Sequence, residues 1–495
     1  MNFIKKIFEP IDLTHGRPFI KLIRFAIPIL LSTVLANAFS LINALILKTT
    51  VGGISVTATN STSSISAILF NFAYGCTSGF AVIMANKKGK KDEKAQNQTL
   101  YTCFGLVLII GLIITIVGLC LYKTLMSFLN IPEIYLEKAS NYFQIILIGF
   151  LVTLSSNLMS NFVTALGNSS VSLVISFTGT SVNILFGFLL TGVIRLDTRG
   201  VAIATLLANC TTFILNLLYL LRSHPYLKYN KEISKFDKRL ALDALKMGLP
   251  LGLQWSILFI GSFFQQKTVN GFGREIIIDP NTGAEKEIGY ATMANTCYGP
   301  FESYLTIPLS VMSSALLHYV GQNYGARDKE RIKQGIKEAF LIDLITYAIV
   351  LTIGLSCSRY VPYIFLTKND VNEKVIYYCS TYLYILTPFL ICQGLLQLSR
   401  SVLQGIKKPI ITLLSGIGEL IARILVCAFI PSLINKTNPT SDESYIGVCF
   451  STPSAWVVSL LIMGSMVIYY VFIKNLSVID KAIEIDQKNE NETLE

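Results

Sequence analysis

The sequence is short of charge for its length. Charged residues make up 14% of its 495 residues, and hydrophobic residues make up 52%. A soluble domain carries roughly 25% charged residues, and the mean hydropathy of +0.57 lies well above what such domains show. Water therefore cannot be the main solvent of this surface, which excludes an ordinary soluble protein.

The residues that most chemistry needs are also few. Histidine occurs only at His15, His224 and His318, which excludes a histidine-rich metal centre. The ten cysteines form no CxxC pair and no cysteine–histidine cluster, so we interpret them as small apolar core residues. The phosphate-binding GxxxxGKS/T motif, the HExxH motif and a paired-carboxylate constellation are all missing. We therefore predict neither an enzyme nor a bound cofactor or metal.

Long apolar segments recur along the whole chain. A helix that spans a bilayer needs about 20 predominantly apolar residues, and this rule predicts an all-α membrane protein with twelve transmembrane helices. They lie near 19–47, 57–84, 99–122, 138–163, 171–194, 199–221, 243–270, 289–320, 333–356, 374–403, 409–430 and 445–475.

Lysine and arginine collect in short segments between the apolar ones. Four such segments, near 5–24, 87–94, 222–246 and 327–337, lie on one side if there are twelve spans. Basic loops are typical of the cytoplasmic side, so we predict a multi-pass plasma-membrane protein with both termini in the cytoplasm. The first eighteen residues do not resemble a signal peptide. The net charge of +11 is then explained by the basic cytoplasmic loops, so we expect no nucleic-acid partner. We also expect the protein to be a monomer in the bilayer.

The chain also repeats itself. Arg24–Pro28 is echoed by Lys246–Pro250, Asn86–Asp92 by Gln322–Asp328, and Ala165-Leu166-Gly167 by Leu403-Gln404-Gly405. Two parallel repeats of six helices predict two lobes related by a pseudo-twofold axis, with a solute site between them. We predict an amino-terminal lobe at 1–221, a cytoplasmic linker at 222–242, a carboxy-terminal lobe at 243–475 and a cytoplasmic polar tail at 476–495.

Several of these segments resemble the multidrug and toxic-compound extrusion (MATE) transporters of bacteria. The resemblance is carried by Leu249–Gln254, Val269–Gly273, Val320–Asp328 and Pro453–Trp456 in the second half, and by Phe25–Pro28 and Gly200–Thr205 in the first. It covers about 14–475, and the run from Gly321 to Asp328 is its most specific part. The resemblance implies two six-helix lobes and export of organic solutes in exchange for protons or sodium.

The resemblance also implies a cation site from which this sequence departs. Family members carry an acid on the first helix and an Asn plus an acid on the fifth. Here Asn43 and Gly187 stand at the acid positions, while the companions Asn183 and Thr205 remain. Other members use acids on the seventh and tenth helices, where the alignment places Leu258 and Gln393. Neutral Asn43 alone can neither carry a proton nor hold sodium.

Few ionisable groups remain within the predicted spans. Glu419 and Arg423 are four residues apart on the eleventh helix, so they share a face and can pair. The pair is either a structural ion pair or a coupling site in which a proton or cationic solute releases Arg423. Glu302 on the eighth helix is either a coupling acid or a carboxylate bonded to neighbouring helices. Asp343 lies nearer the basic side, where we expect an ion pair.

Other residues are candidates for motion or for solute contact. Pro28 and Pro250 occupy matching places and predict kinks, either static or moving. The candidate cavity residues are Gln265, Asn270, Gln393, Phe39, Phe263, Phe264 and Tyr298. The polar stretch Thr57–Ser64 either bonds within the helices or lines a wet cavity. The insertion Arg274–Ile288, with a turn at Asp279–Gly283, is predicted to be an exposed hairpin or loop.

Three kinds of function compete. The first is a secondary transporter that exports amphipathic organic compounds by antiport with protons or sodium. The second is a flippase for a lipid-linked precursor or an uncoupled facilitator on the same scaffold; a flippase favours a strongly basic cavity, and few Lys or Arg lie within the spans. The third, a receptor or an enzyme, does not account for two parallel repeats. The pattern favours the exporter, without identifying its substrate, direction or coupling ion.

Overall fold

The chain folds almost entirely into long helices. The computed structural model describes residues 10–50, 59, 62–128, 133–278, 285–366, 370–477 and 479. Within this part, twelve spans follow one another, some of them built from two consecutive helices. They are α1 (Pro18–Thr50), α2 (Ser63–Gly89), α3 (Glu93–Phe128), α4 (Glu133–Ile148 and Phe150–Ala165), α5 (Ser169–Phe188), α6 (Asp197–Ser223), α7 (Lys238–Val269), α8 (Tyr290–Gly325), α9 (Lys329–Cys357), α10 (Glu373–Leu386 and Leu390–Gly405), α11 (Pro409–Ile434) and α12 (Asp442–Cys449 and Ser451–Val467).

The lengths and compositions of these helices suit a bilayer. Ten of them are long and apolar enough to cross a membrane, and the pair that forms α4, bent by 48°, makes an eleventh span. The remaining helix, α8, has 36 residues, about 54 Å at 1.5 Å per residue, but is richer in hydroxyl and amide side chains. A more polar helix tolerates the bilayer when its neighbours shield it, and α8 packs against α1, α2, α9 and α10. The predicted twelve-helix fold is confirmed.

Local signals explain where many of these helices begin. The side chains of Asn168, Asp237, Asp328 and Asn372 each accept a hydrogen bond from a backbone N–H of the first turn of α5, α7, α9 and α10. Such N-caps satisfy donors that have no partner within the helix. The residues just before α3 and α9, Lys91 and Arg327, adopt φ angles of 57° and 61° at equivalent points of the repeat.

The packing of helices repeats with an offset of six. In the first half α1 packs on α5, α5 on α6, α4 on α6, and α2 on α4. In the second half α7 packs on α11, α11 on α12, α10 on α12, and α8 on α10. Contacts between the halves follow the same rule, since α2 packs on α7 and α1 packs on α8. This correspondence is the pseudo-twofold relation that the internal repeat predicted.

Glycines let the two lobes approach closely along α2 and α7. A Cβ atom on Gly79 would lie 2.7 Å from the Cα atom of Gly248, and a Cβ atom on Gly75 would lie 2.5 Å from the carbonyl oxygen of Leu251. Real side chains do not fit at such distances. Helix backbones in membranes associate through small residues of this kind, so this seam is a main interface between the lobes.

The insertion between α7 and α8 is a β-hairpin. Strand β1 (Arg274–Ile278) pairs antiparallel with β2 (Glu285–Gly289), with Arg274 opposite Gly289. Glu275 and Lys374 form an exposed ion pair that ties the hairpin to the start of α10. The predicted hairpin is confirmed, while its turn at Asp279–Gly283 lies outside the described residues, as does half of the polar stretch Thr57–Ser64.

The segment between α6 and α7 packs on the amino-terminal lobe. Asn97 of α3 donates hydrogen bonds to the carbonyl oxygens of Tyr226 and Lys228, at 2.8 and 2.9 Å. In the same segment His224 is buried, and its Nε2 atom has no hydrogen-bond partner among the described residues. Burial, together with the nearby charge of Lys88, lowers the pKa of His224 to about 4.

This buried histidine predicts a loss of stability in mild acid. Because an unfolded histidine has a pKa near 6.5, the unfolded chain binds the extra proton between pH 6.5 and about 4, and acid therefore favours unfolding. We expect the thermal midpoint in detergent to fall from pH 7 to pH 5, and His224→Gln to reduce that fall. An equal fall in both proteins would show that His224 is not responsible.

Candidate functional site

The two lobes meet at one end of the molecule through a reciprocal glycine contact. A Cβ atom on Gly89, at the end of α2, would lie 1.8 Å from the carbonyl oxygen of Gln322. A Cβ atom on Gly325, at the end of α8, would lie 2.0 Å from the carbonyl oxygen of Asn86. The two contacts are equivalent under the repeat, which relates Gly89 to Gly325 and Asn86 to Gln322. We call this end, which carries the short loops after α2 and α8, the basic face.

A segment ahead of α1 bridges both lobes at the basic face. The backbone N–H of Ile11 donates to the carbonyl oxygen of Gly167 in the amino-terminal lobe, at 2.8 Å. Two residues later the backbone N–H of Leu13 donates to the Oε1 atom of Gln322, at 3.2 Å, and Asn323 donates to the Leu13 carbonyl oxygen, at 3.1 Å. The lobes are therefore held closed at this face by hydrogen bonds as well as by packing.

A cavity of about 190 Å³ lies between the lobes, deeper in the molecule. Its described lining comes from α1 and α2 on one side and from α7, α8 and α10 on the other. The lining residues are Ile29, Thr33, Tyr74, Ser78, Trp255, Ser310, Val311, Ser313, Ser314, Leu317, Gln397, Arg400, Ser401 and Gln404. Seven of these fourteen residues carry a hydroxyl group, two carry an aromatic ring, and Arg400 is the sole charged member of the set.

Arg400 is buried at the cavity wall with few of its donors used. Its side chain is 4% exposed, and its Nη1 atom donates to the Oε1 atom of Gln397 at 3.1 Å. Its Nε atom has no hydrogen-bond partner among the described residues. The guanidinium carbon lies 5.8 Å from the ring centroid of Trp255, and Trp255 packs edge-on against Tyr74 of the other lobe. An arginine carries five N–H donors, and the hydrogen bond to Gln397 uses one of them.

The carboxylate of Glu419 lies close to two arginines. The Oε2 atom of Glu419 lies 3.6 Å from the Nη2 atom of Arg400, and its Oε1 atom lies 3.6 Å from the Nη2 atom of Arg423. Both distances exceed hydrogen-bond length, and all three side chains are less than 10% exposed. Burial of ions without water is costly, and a single shared carboxylate compensates two cations incompletely. The formal charges of these three residues sum to +1.

Polar contacts continue from Arg423 to Glu302. Arg423 donates from its Nη1 atom to the Oε1 atom of Gln265 at 3.0 Å, and the Nε2 atom of Gln265 donates to the hydroxyl of Tyr382 at 3.4 Å. The Tyr382 hydroxyl donates to the Oε2 atom of Glu302 at 2.9 Å. Polar contacts between helices α7, α8, α10 and α11 thus connect Glu302 to Arg400. We call this series the polar network; its members are Glu302, Tyr382, Gln265, Arg423, Glu419 and Arg400.

Comparison with known proteins identifies the family. The family model MatE matches residues 28–189 and 294–429, more than half of the chain. This chain belongs to the MatE family. Its members are transporters, so the protein is a multi-pass membrane transporter of the multidrug-efflux class and not an enzyme.

Curated relatives agree with this assignment. The probable multidrug resistance protein YoeA of Bacillus subtilis is 22% identical over 468 residues, covering 93% of this chain and 95% of that protein. A second B. subtilis protein, the probable multidrug resistance protein YpnP, is 26% identical over 324 residues, covering 65% and 68%.

Two solved structures share the fold. An outward-facing multidrug resistance MATE transporter of the MOP superfamily has a TM-score of 0.81 at 19% identity, covering 93% of this chain and 98% of that one. A MOP superfamily transporter from Pyrococcus furiosus has a TM-score of 0.80 at 20% identity, with the same coverage. That protein is described as having a binding pocket of reverse polarity that suggests a different function.

Two candidates for a cation site lie together in the amino-terminal lobe of this MatE protein. Asn183 of α5 donates to the hydroxyl of Thr205 on α6, at 3.3 Å, so these two companions lie together as neutral partners. The carbonyl oxygen of Gly187 accepts a hydrogen bond from Thr191. Asn43 and Phe39 belong to α1, but their side chains lie outside the described residues.

Other predicted site residues lie apart from the cavity. Tyr298 is buried in the carboxy-terminal lobe and stacks on Tyr382 at 3.9 Å between ring centroids. Asn270 directly follows the last residue of α7 and accepts a hydrogen bond from Thr292 at 3.2 Å. Gln393 is buried in α10. Phe263 and Phe264 are 50% and 42% exposed, which suits contact with lipid. Pro28 and Pro250 lie inside the continuous helices α1 and α7. The helix kinks predicted at these two prolines stay predictions.

The ion pair predicted for Asp343 is wrong. This residue is 2% exposed in α9, has no ion-pair partner among the described residues, and leaves its Oδ1 atom without a hydrogen bond. The reason is that α10 presents Gly394 to it. A Cβ atom at Gly394 would lie 2.2 Å from the Oδ2 atom of Asp343, so the carboxylate packs directly on backbone.

Sequence reasoning missed Arg400. It lies three residues before the end of the predicted helix 374–403, where a cation resembles an ordinary end-of-helix charge. The helix in fact extends to Gly405. The sequence did contain a signal. Arg400 lies three residues before the repeated motif Leu403-Gln404-Gly405. In the first half, the matching position before Ala165-Leu166-Gly167 is Phe162, which carries no charge.

Proposed function

We propose that this MatE protein is a secondary active transporter that exports amphipathic organic solutes by antiport with protons, its two lobes alternating about the cavity between them. Three features support the proposal. The cavity has walls from both lobes and combines hydroxyl groups with aromatic rings. The lobes touch at the basic face through reciprocal contacts of Gly89 and Gly325. The curated relatives carry the name of multidrug resistance proteins.

The observation that carries the coupling part is the polar network. Glu302 accepts a hydrogen bond from Tyr382 and has no ion-pair partner among the described residues. An ionised carboxylate at membrane depth is costly, so Glu302 gains by taking up a proton. Proton uptake changes the hydrogen bond with Tyr382, and the network transmits this change through Gln265 to Arg423. Sodium is the weaker candidate, since its ligands would be one carboxylate and a few neutral oxygens.

We further propose that the basic face and both termini are cytoplasmic. Basic residues concentrate there, as the positive-inside pattern requires. The lobes at 1–221 and 243–475 and a monomeric state are part of the same proposal. Labelling of introduced cysteines from each side of intact cells tests the orientation, and external labelling of a cysteine at Lys91 would contradict it.

Glu302→Gln is expected to abolish proton coupling. In proteoliposomes with an imposed pH gradient, gradient-driven movement of a fluorescent amphipathic solute should fall at least tenfold, while exchange at equal pH on both sides persists. Glutamine keeps the size and the hydrogen-bonding of the side chain but cannot titrate. The measurement is the initial rate with and without the gradient.

Asp343→Asn is the matched control, because Asp343 is also a buried carboxylate in the same lobe but lies outside the polar network. It should retain gradient dependence. If Asp343→Asn loses the dependence and Glu302→Gln keeps it, the coupling acid lies on α9. If a sodium gradient drives the parent protein and a proton gradient does not, the proton assignment is wrong. Movement that follows no gradient would indicate the facilitator.

A further inference from the structure

The cavity offers a cationic solute almost no countercharge. From residue 13 to residue 91 the chain contains no Asp or Glu, so α1 and α2 contribute no carboxylate to their side of the cavity. The described lining from α7, α8 and α10 contains none either. A cation placed here would lie beside Arg400 with no anionic partner in the wall.

The carboxylate that lies next to Arg400 is already engaged. Glu419 lies behind Arg400, within 3.6 Å of both Arg400 and Arg423. It cannot neutralise two guanidinium groups and also attract a positively charged solute. The excess positive charge at the wall therefore favours a negatively charged ligand, which would complete the compensation that Glu419 provides only in part.

The groups around Arg400 suit an anion with an aromatic or apolar body. The Nε atom of Arg400 and the Nε2 atom of Gln404 are buried donors without hydrogen-bond partners among the described residues. Both residues line the cavity, as do Ser78 and Ser314, whose hydroxyls are further donors. Guanidinium groups bind carboxylate and phosphate through two parallel hydrogen bonds. The rings of Trp255 and Tyr74 supply an apolar surface beside these donors.

We propose that the solute of this transporter is an amphipathic organic anion, and that Arg400 binds its carboxylate or phosphate group at the interface between the lobes. The inference rests on the proposed transport function and adds the substrate class to it. It also changes the charge that moves in each cycle. A monovalent cation exported for one proton moves no net charge, whereas a monovalent anion exported for one proton moves two charges, so an inside-negative potential accelerates its export.

Binding to the purified full-length protein in lipid nanodiscs tests the site. The probes are two dansyl amphiphiles of equal length, one ending in a carboxylate and the other in a trimethylammonium group. We expect the carboxylate probe to bind at least tenfold more tightly than the cationic probe. Arg400→Gln should weaken carboxylate binding at least tenfold and should strengthen binding of the cationic probe, because it removes a repelling charge and releases Glu419 from one of its two arginines. Arg400→Lys, which keeps the charge but loses the planar fork, should restore part of the affinity.

Transport in proteoliposomes tests the charge balance with the same probes. A potassium diffusion potential, negative on the side of the basic face, should accelerate movement of the carboxylate probe away from that face. A dansyl-labelled phospholipid, which carries its negative charge on a phosphate group, is tested alongside. It distinguishes a lipid headgroup from a soluble organic anion as the ligand. Movement of this lipid without movement of the soluble probe would support the anion site with a lipid as its ligand.

Several outcomes would overturn the inference. Tighter binding of the cationic than of the carboxylate probe by the parent, or carboxylate binding that is equal in the parent and in both Arg400 variants, rejects the anion site while the transport function stands. If neither the probes nor the labelled lipid is bound or moved by the folded parent protein, the proposed function fails and the inference fails with it. Anion transport that ignores the potential rejects the stated charge balance.

Discussion

Glu419→Ala is expected to lower the free energy of unfolding by about 3–5 kcal/mol, the range for removal of one partner from a buried ion pair. The reason is that Arg400 and Arg423 share this carboxylate and are both less than 10% exposed. Without it, two cations remain buried with only neutral hydrogen-bond partners. Denaturation in mild detergent, followed by circular dichroism or by the fluorescence of Trp255 and Trp456, measures the change.

A second ion pair in the same lobe provides the control. Glu275 pairs with Lys374 at the exposed hairpin, where solvent screens the charges and such pairs add little to stability. Glu275→Ala should leave the unfolding transition in place. Equal stability of Glu419→Ala and the parent would show that the two arginines are compensated in another way, and the positive cluster at the cavity would lose its basis.

Gly325→Ala is expected to reduce transport more than tenfold by preventing closure at the basic face. The added methyl group would lie 2.0 Å from the carbonyl oxygen of Asn86 in the other lobe, far inside van der Waals contact. The helix itself accepts alanine, because Gly325 does not need a left-handed backbone. Gly89→Ala should behave in the same way, since its methyl group would meet Gln322. The measurement is the initial rate of solute movement in proteoliposomes.

Gly464→Ala is the matched control for this pair. Gly464 also lies within a helix, and an added Cβ atom there would lie 3.7 Å from Leu460, an ordinary contact. Its transport rate should stay near that of the parent. Parental rates in both Gly325→Ala and Gly89→Ala would show that the lobes do not need to meet closely at this face.

The fold was largely predictable because bilayer thickness fixes the length of each apolar segment. All twelve predicted spans agree with helices in the structure, mostly to within a few residues. The bend at Gly149 in α4 was not predicted, because it depends on how Leu206 of α6 packs against that glycine. The repeated motif at Gly89 and Gly325 was visible in the sequence, but the contact between its two copies depends on how the lobes assemble.

The candidate site was predictable only where it depends on a single helix. Spacing along α11 predicted that Glu419 and Arg423 lie together, and burial of both residues agrees. The third member, Arg400, comes from α10, and no spacing rule connects two helices. The link from Gln265 through Tyr382 to Glu302 likewise joins three helices. Such contacts depend on helix packing, which composition and periodicity do not specify.

The most direct test of alternation between the lobes is a distance measured across the basic face. Spin labels at Lys94 and Glu330, two exposed residues at equivalent positions at the starts of α3 and α9, report the separation by pulsed electron resonance in a variant without accessible native cysteines. A second pair, Lys94 and Lys231 of the linker segment that packs on the amino-terminal lobe, serves as the control. We predict two distance populations for the first pair, with a ratio that changes with pH or added solute, and one constant distance for the control. A single inter-lobe distance that no condition changes would contradict the account.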